Sequence, residues 1–172
     1  MQCDIAVIGA GHAGVEAACC AARKGVRVFL VTSHVDLIGQ MSCNPAIGGI
    51  AKGTIVREID ALGGIMARAC DRAGIHFKML NRTKGMAVWG PRAQADKRIY
   101  RQAIREELER EQNLMLYQDM AVGLREKGGK IRAVIMQSGA VLECRAVILC
   151  MGTFLNGVAH IGLDSFPAGR TG

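Results

Sequence analysis

Asp4-Ile5-Ala6-Val7-Ile8-Gly9-Ala10-Gly11-His12-Ala13-Gly14 runs from an apolar segment into a glycine turn. Four apolar residues, Ile5 to Ile8, read as a buried strand. Residues 15–23, rich in alanine, read as the helix that follows. Strand, then Gly-x-Gly-x-x-Gly, then helix is the context that marks a dinucleotide-binding turn. Each glycine has its own task. Gly9 permits a tight turn, Gly11 lets a pyrophosphate approach the backbone, and Gly14 lets helix and strand pack closely. The free N–H groups and dipole at the helix start favour an anion. From the motif alone, a glycine turn that binds nothing stays open as the alternative.

Working outward, Gly25 stops the helix, and residues 26–31 form a second strand of a right-handed β-α-β unit. In such units an acid often closes the second strand and holds a ribose. Here the position reads Thr32-Ser33-His34, and the nearest acid, Asp36, comes late. Thr32 or backbone groups are the substitutes. Residues 34–53 show no regular pattern and are rich in glycine, which suits a functional loop. Thr54 is placed to cap the next helix, with Ile55, Ile59 and Leu62 at helical spacing. Gly63-Gly64 interrupts, and residues 65–72 resume helical character.

Residues 75–80 read as a strand, and 81–92 as an irregular basic segment with the only tryptophan, Trp89. Residues 93–110 read as the longest helix, with Ala95, Ile99, Ala103 and Leu108 toward the core. Residues 114–117 form a strand. Residues 122–125 and 131–137 flank Gly128-Gly129 as a hairpin, and residues 141–144 add a third strand. Residues 145–151 are an apolar strand closed by Gly152-Thr153. The tail, residues 166–172, carries no packing signal, so the chain is expected to be part of something larger.

The chain has 172 residues and is half apolar, enough for one domain with a sizeable core. No apolar run reaches bilayer length, and nothing resembles a secretory leader. Seven cysteines, none spaced as Cys-x-x-Cys, argue for free thiols in a reducing compartment. Neither cysteine nor histidine spacing suggests zinc. The net charge of +7 is local. Lys78, Arg82, Lys84, Arg92, Lys97, Arg98, Arg101 and Arg105 are opposed in their window only by Asp96. Such a stretch fits a polyanion footprint or a solvated helix face paired with Glu106, Glu107, Glu109 and Glu111.

The order of β-α-β unit, helical insertion, strand, β-meander and apolar strand with Gly152-Thr153 resembles the α/β, Rossmann-like FAD-binding domain of glutathione-reductase type. That fold has a parallel sheet with the meander across one face. More narrowly, Gly9 to Gly14 and Ile38-Gly39-Gln40-Met41-Ser42-Cys43-Asn44-Pro45-Ala46-Ile47-Gly48-Gly49 resemble the glucose-inhibited division protein A (MnmG) family. So do Arg57-Glu58-Ile59-Asp60-Ala61-Leu62-Gly63-Gly64, Arg92-Ala93-Gln94-Ala95-Asp96 and Gly152-Thr153-Phe154-Leu155-Asn156-Gly157. The Cys43 motif is far more specific than the glycine turn.

The resemblance implies an FAD enzyme that builds a carboxymethylaminomethyl or aminomethyl group on C5 of the wobble uridine of tRNA. It implies methylene-tetrahydrofolate as carbon donor, NADH as reductant, an MnmE-type GTPase as partner, a homodimer and a cytoplasmic setting. Family members are much longer, so residues 1–172 are expected to be an incomplete, N-terminal FAD-binding domain with the NAD site elsewhere. The competing readings are a simple FAD/NAD oxidoreductase, against which the missing Cys-x-x-Cys counts, and an inactive nucleotide-binding module.

By the same resemblance, Gly9, Ala10, Gly11, His12, Ala13, Gly14, Thr32, Ala121 and Gly152 are expected to hold the cofactor, with Ala121 at the adenine through its backbone. Cys43 is the catalytic candidate, with Lys52 and the following helix start as sources of a thiolate-favouring positive field; a structural thiol is the alternative. Asp60 reads as a helix-surface or capping group. Trp89, Arg82, Lys84 and Arg92 suit RNA or a contact with another domain or subunit.

Overall fold

The computed structural model describes residues 1–169. The last three residues of the tail read above lie outside the described residues. The chain opens with β1 (Ile5–Ile8), α1 (His12–Arg23) and β2 (Val28–Thr32). An insertion follows: β3 (Ala46–Gly48), α2 (Ile50–Ala61), α3 (Met66–Ala73), β4 (Gly74–Leu80), β5 (Gly90–Ala95) and α4 (Lys97–Glu109). Then come β6 (Leu114–Gln118), β7 (Ala121–Lys127), β8 (Lys130–Met136), β9 (Val141–Glu143), β10 (Ala146–Leu149), β11 (Val158–Ile161) and β12 (Asp164–Pro167).

The expected α/β architecture is present. A parallel sheet has the order β10-β1-β2-β6. Because successive strand residues face opposite sides, the central strands feed two cores. Val7, Val28 and Leu30 join Val15, Ala18, Ile104 and Leu108 under the helices. Ala6, Ile8, Phe29 and Val31 join Val134, Met136 and Leu142 under the meander β7-β8-β9. Small residues on α1 (Ala18, Ala21, Ala22) are buried, which brings that helix close to the sheet. Gly128 and Gly129, at φ +64° and +73°, make the predicted β7–β8 hairpin turn.

Four expectations are corrected. The insertion holds a three-stranded antiparallel sheet, β3-β5-β4, beside its helices. Its central strand, β5, lies in a segment read as irregular and then helical. The sequence Gly90-Pro91-Arg92-Ala93-Gln94-Ala95 has no β-branched residue, so pairing with both neighbours decides its state. The helix α4 therefore starts at Lys97. Asp96 caps it by accepting the N–H groups of Arg98 and Ile99, and Tyr100 and Ile104 join Ala103 and Leu108 in the core.

Next, α2 begins at Ile50, with Gly49 at its N-cap, so Thr54 lies inside the helix. Its inward face carries Val56; Ile55 and Leu62 are exposed, Leu62 at 90%. Last, residues 158–167 form a hairpin, β11–β12, so Phe166 and Pro167, the first residues of the tail read as carrying no packing signal, are paired in a strand. No helix of the described residues is long and apolar enough to cross a membrane.

Candidate functional site

The glycine turn follows β1 at the carboxyl edge of the parallel sheet. The Gly9 N–H donates to Val31 O at 2.8 Å, and Gly9 has φ +97°. A β-carbon there would sit 2.5 Å from Cys150 O, at the end of neighbouring β10. One at Gly14 would overlap the carbonyl oxygen of Gly9. Gly11 differs: a β-carbon there would meet nothing within 4 Å. Gly11 is the N-cap of α1, which has no side-chain cap and no acid in its first turn. The helix thus presents uncapped N–H groups toward open space, the arrangement that takes an anion.

The other expected cofactor residues gather at the same sheet edge. Ala10 is buried in the turn, and Ala13 lies in the first turn of α1. Thr32 ends β2, its hydroxyl donating to His34 O at 3.4 Å. Ala121 opens β7, just past the end of β6, opposite Met136. Gly152, at φ +58°, follows β10, and a β-carbon there would also meet open space. Ligands of open α/β sheets bind outside the carboxyl ends of the strands where the strand order reverses, here between β1 and β10. Asp36, the late acid, forms an ion pair with Arg105 at 3.3 Å.

A cleft of about 350 Å³ lies beside the turn, lined by His12, Met41, Cys43, Asn44, Gly49, Lys52, Leu80 and Arg92 among others. The Cys43 loop, β3, the start of α2 and the β4–β5 ladder form its walls. Cys43 is exposed. Its carbonyl accepts from Lys97 Nζ at 3.2 Å, which ties the loop to α4. Lys52 Nζ donates to Ala46 O at 3.2 Å, and no carboxylate lies within ion-pair distance of it among the described residues. Burial lowers the Lys52 ammonium pKa, while the Cys70 and Cys43 thiols act in the opposite direction. Lys52 and Gly49, the N-cap of α2, therefore line the same cleft as Cys43.

His12 opens α1 and reaches the same cleft. Burial, with the Lys52 charge second, lowers its pKa to about 4, so the ring is neutral at physiological pH. Its Nε2 is buried without a partner, as is the hydroxyl of Tyr100, and the two rings stack. Sequence reasoning did not single out Tyr100, whose meeting with His12 spans 88 residues and leaves no local pattern. It also missed Glu16, whose carboxylate accepts the N–H groups of Ile65 and Met66 and so caps α3 from α1. Of the other thiols, Cys3, Cys19, Cys70 and Cys144 are buried and act as small hydrophobes, Cys150 is half-buried, and Cys20 is exposed on α1. Asp60 is exposed on α2, which agrees with the helix-surface reading.

The model of the family described as glucose inhibited division protein A matches residues 4–172. The tRNA uridine 5-carboxymethylaminomethyl modification enzyme MnmG of Chlorobium phaeobacteroides is 54% identical over 168 residues, 98% of this chain and 27% of that protein. The solved structure of Aquifex aeolicus GidA in its form I crystal matches with a TM-score of 0.92 and 50% identity, over 99% of this chain and 28% of that one. The GidA-related protein from Thermus thermophilus matches at TM-score 0.66 and 23% identity, over 97% and 60% of the two chains, a likeness of fold alone. The chain spans little more than a quarter of the length of the curated relatives it matches.

Proposed function

The chain belongs to the glucose inhibited division protein A family, and from that premise we propose that it is the FAD-binding portion of an enzyme that modifies uridine in tRNA. The observation that carries the cofactor reading is the open backbone at Gly11, set at an uncapped helix start on the carboxyl edge of a parallel sheet. The space is free where a pyrophosphate would approach and filled where helix and strand must touch. In this reading Gly9 to Gly14 hold the pyrophosphate, and Thr32 stands in for the usual acid at the ribose. Ala121 meets the adenine through its backbone, and Gly152 borders the phosphates.

Bound FAD would supply the redox chemistry for transferring a one-carbon unit. The work of this chain's own side chains is to bind and to manage protons. His12, kept neutral, can accept or donate one hydrogen bond in the cleft without adding charge. Cys43, exposed on the cleft wall, is the nucleophile or proton carrier, and Lys52 is the cation that would favour its thiolate.

The reading extends, on the strength of the Cys43 motif and its companions, to C5 of the wobble uridine as the target and methylene-tetrahydrofolate as carbon donor. It includes NADH as reductant bound outside this chain, an MnmE-type GTPase as partner, a cytoplasmic setting and a homodimer.

Two measurements test it. Titrating FAD into the purified chain should quench flavin fluorescence with one-to-one saturation; absence of binding overturns the cofactor reading. The full-length enzyme, supplied with the GTPase, methylene-tetrahydrofolate, a nitrogen donor and unmodified tRNA, should convert the wobble uridine as read by nucleoside mass spectrometry. Unchanged uridine overturns the activity.

A further inference from the structure

The β4–β5 connection, residues 81–89, is closed by two cross-links of its own. Asn81 Nδ2 donates to Val88 O at 3.1 Å, and Trp89 Nε1 donates to Arg82 O at 3.3 Å. Asn81 at φ +59° and Gly85 at φ +93° make the bends. The loop is thus shaped in advance by its own bonds. Trp89 is 42% exposed and its one polar atom is engaged, so its open surface is apolar ring. Met86 beside it is 77% exposed.

Around this ring the charge is mostly positive, although Asp71 shares a cavity with Lys78 and Arg92. Arg82 and Lys84 are on the loop, and Lys78 and Arg92 oppose each other directly in the β4–β5 register. Like charges paired across antiparallel strands repel. None of the four lies within ion-pair distance of a carboxylate among the described residues. Arg23, Arg68, Arg72 and Arg105 do, whereas Arg125 and Lys127 on β7 share the lack of a carboxylate partner among the described residues but have no exposed aromatic ring on their strand. Arg92 and Leu80, at the base of the loop, also line the Cys43 cleft.

We propose that this loop, with Lys78 and Arg92, binds single-stranded RNA. Trp89 stacks on an unpaired base, the four cations take phosphates, and an adjacent nucleotide enters the Cys43 cleft. The inference rests on the reading of the chain as part of a tRNA-modifying enzyme, and it names the surface that receives the substrate. An exposed ring amid unpaired cations is what stacking plus phosphate contact requires. An acidic protein surface would use the cations and leave the ring idle.

Trp89 is the sole tryptophan, so its emission reports the site directly. Titration of the chain with octauridylate at several salt concentrations should quench that emission saturably. Replacing Arg82→Ala and Lys84→Ala together should weaken binding and flatten the logarithmic salt slope by about 1.4, two single-strand phosphate contacts. Arg125→Ala with Lys127→Ala, on the meander hairpin, should leave both unchanged. Trp89→Phe, followed by anisotropy of labelled RNA, should keep the salt slope and lose affinity.

Four outcomes overturn the proposal. They are no binding at low salt, RNA bound without a change in Trp89 emission, an unaltered salt slope in the double variant, and equal quenching by polyglutamate, which would mark an acidic protein as the partner. FAD titration of the same preparations separates the two readings. If FAD binds and the RNA results fail, this proposal falls alone. If FAD binding fails too, the functional reading falls with it.

Discussion

The imidazole of His12 stacks on the ring of Tyr100, centroids 5.7 Å apart and planes inclined by 27°. This contact fixes the first residue of α1 against α4 and leaves the imidazole half-buried, with its Nε2 out of reach of water. The His12 pKa falls to about 4, by burial first and the Lys52 charge second, from the ordinary 6.5. The unfolded chain therefore takes up the proton first as pH drops. The stabilising preference for neutral His12 is complete above pH 6.5 and is lost as pH falls from there toward 4. The loss between pH 7 and pH 5 should be about 2 kcal/mol from this one group. Urea midpoints across that range should show it, and His12→Phe, which keeps the stack, should flatten the profile. An unchanged profile in the variant would show that His12 is not the group responsible.

Gly11 and Gly14 should respond oppositely to the same substitution. Gly14→Ala puts a methyl into the Gly9 carbonyl, backbone against backbone, where nothing flexible can give way. A loss of about 3 kcal/mol or more is expected, with FAD binding lost as the turn distorts. Gly11→Ala meets no protein atom, and Gly11 has an ordinary φ of −73°. Its unfolding midpoint should stay near wild type while FAD affinity falls at least tenfold. Retained FAD affinity in Gly11→Ala would mean the phosphates lie elsewhere.

Glu16 holds two elements together. Its carboxylate accepts the Ile65 and Met66 N–H groups at 2.7–3.1 Å, at the start of α3, which has no side-chain cap of its own. Glu16→Ala should cost about 1–2 kcal/mol in a urea melt, the range of a lost N-cap. Amide exchange at Ile65 and Met66 should quicken before that of the β1 and β2 core. Unaltered exchange at those two amides would rule the cap out as a stabilising contact.

What could be read from the sequence follows the range of the forces involved. The β1 strand, its glycines and the small inward residues of α1 are set by local sterics and by burial on both faces, so a single segment reveals them. The meander is equally legible, because Gly128-Gly129 can take the positive φ its turn needs. The strand β5 is not, since its state comes from β3 and β4 on either side. The start of α2 was misplaced because a backbone glycine, not the Thr54 hydroxyl, stands at its N-cap. At the candidate site, the residues expected to hold a cofactor lie at one sheet edge because the glycine turn and the strand ends are local features. The His12–Tyr100 stack and the Lys78–Arg92 opposition depend on tertiary pairing and leave no spacing to detect.

Cys43 is the test of whether the cleft does chemistry. Its thiol is exposed, and the loop is held through the Cys43 carbonyl, which Lys97 binds and a side-chain change leaves in place. Cys43→Ser should therefore shift stability by no more than about 0.5 kcal/mol and keep FAD binding. The full-length enzyme carrying it should lose uridine modification. Cys20 supplies an internal control, being the other exposed thiol. In the native chain iodoacetamide should label both by peptide mass spectrometry, and bound FAD should protect Cys43 while leaving Cys20 reactive. Equal labelling of Cys43 with and without FAD would place the cofactor away from the cleft. Full activity of Cys43→Ser would reduce the thiol to a wall residue.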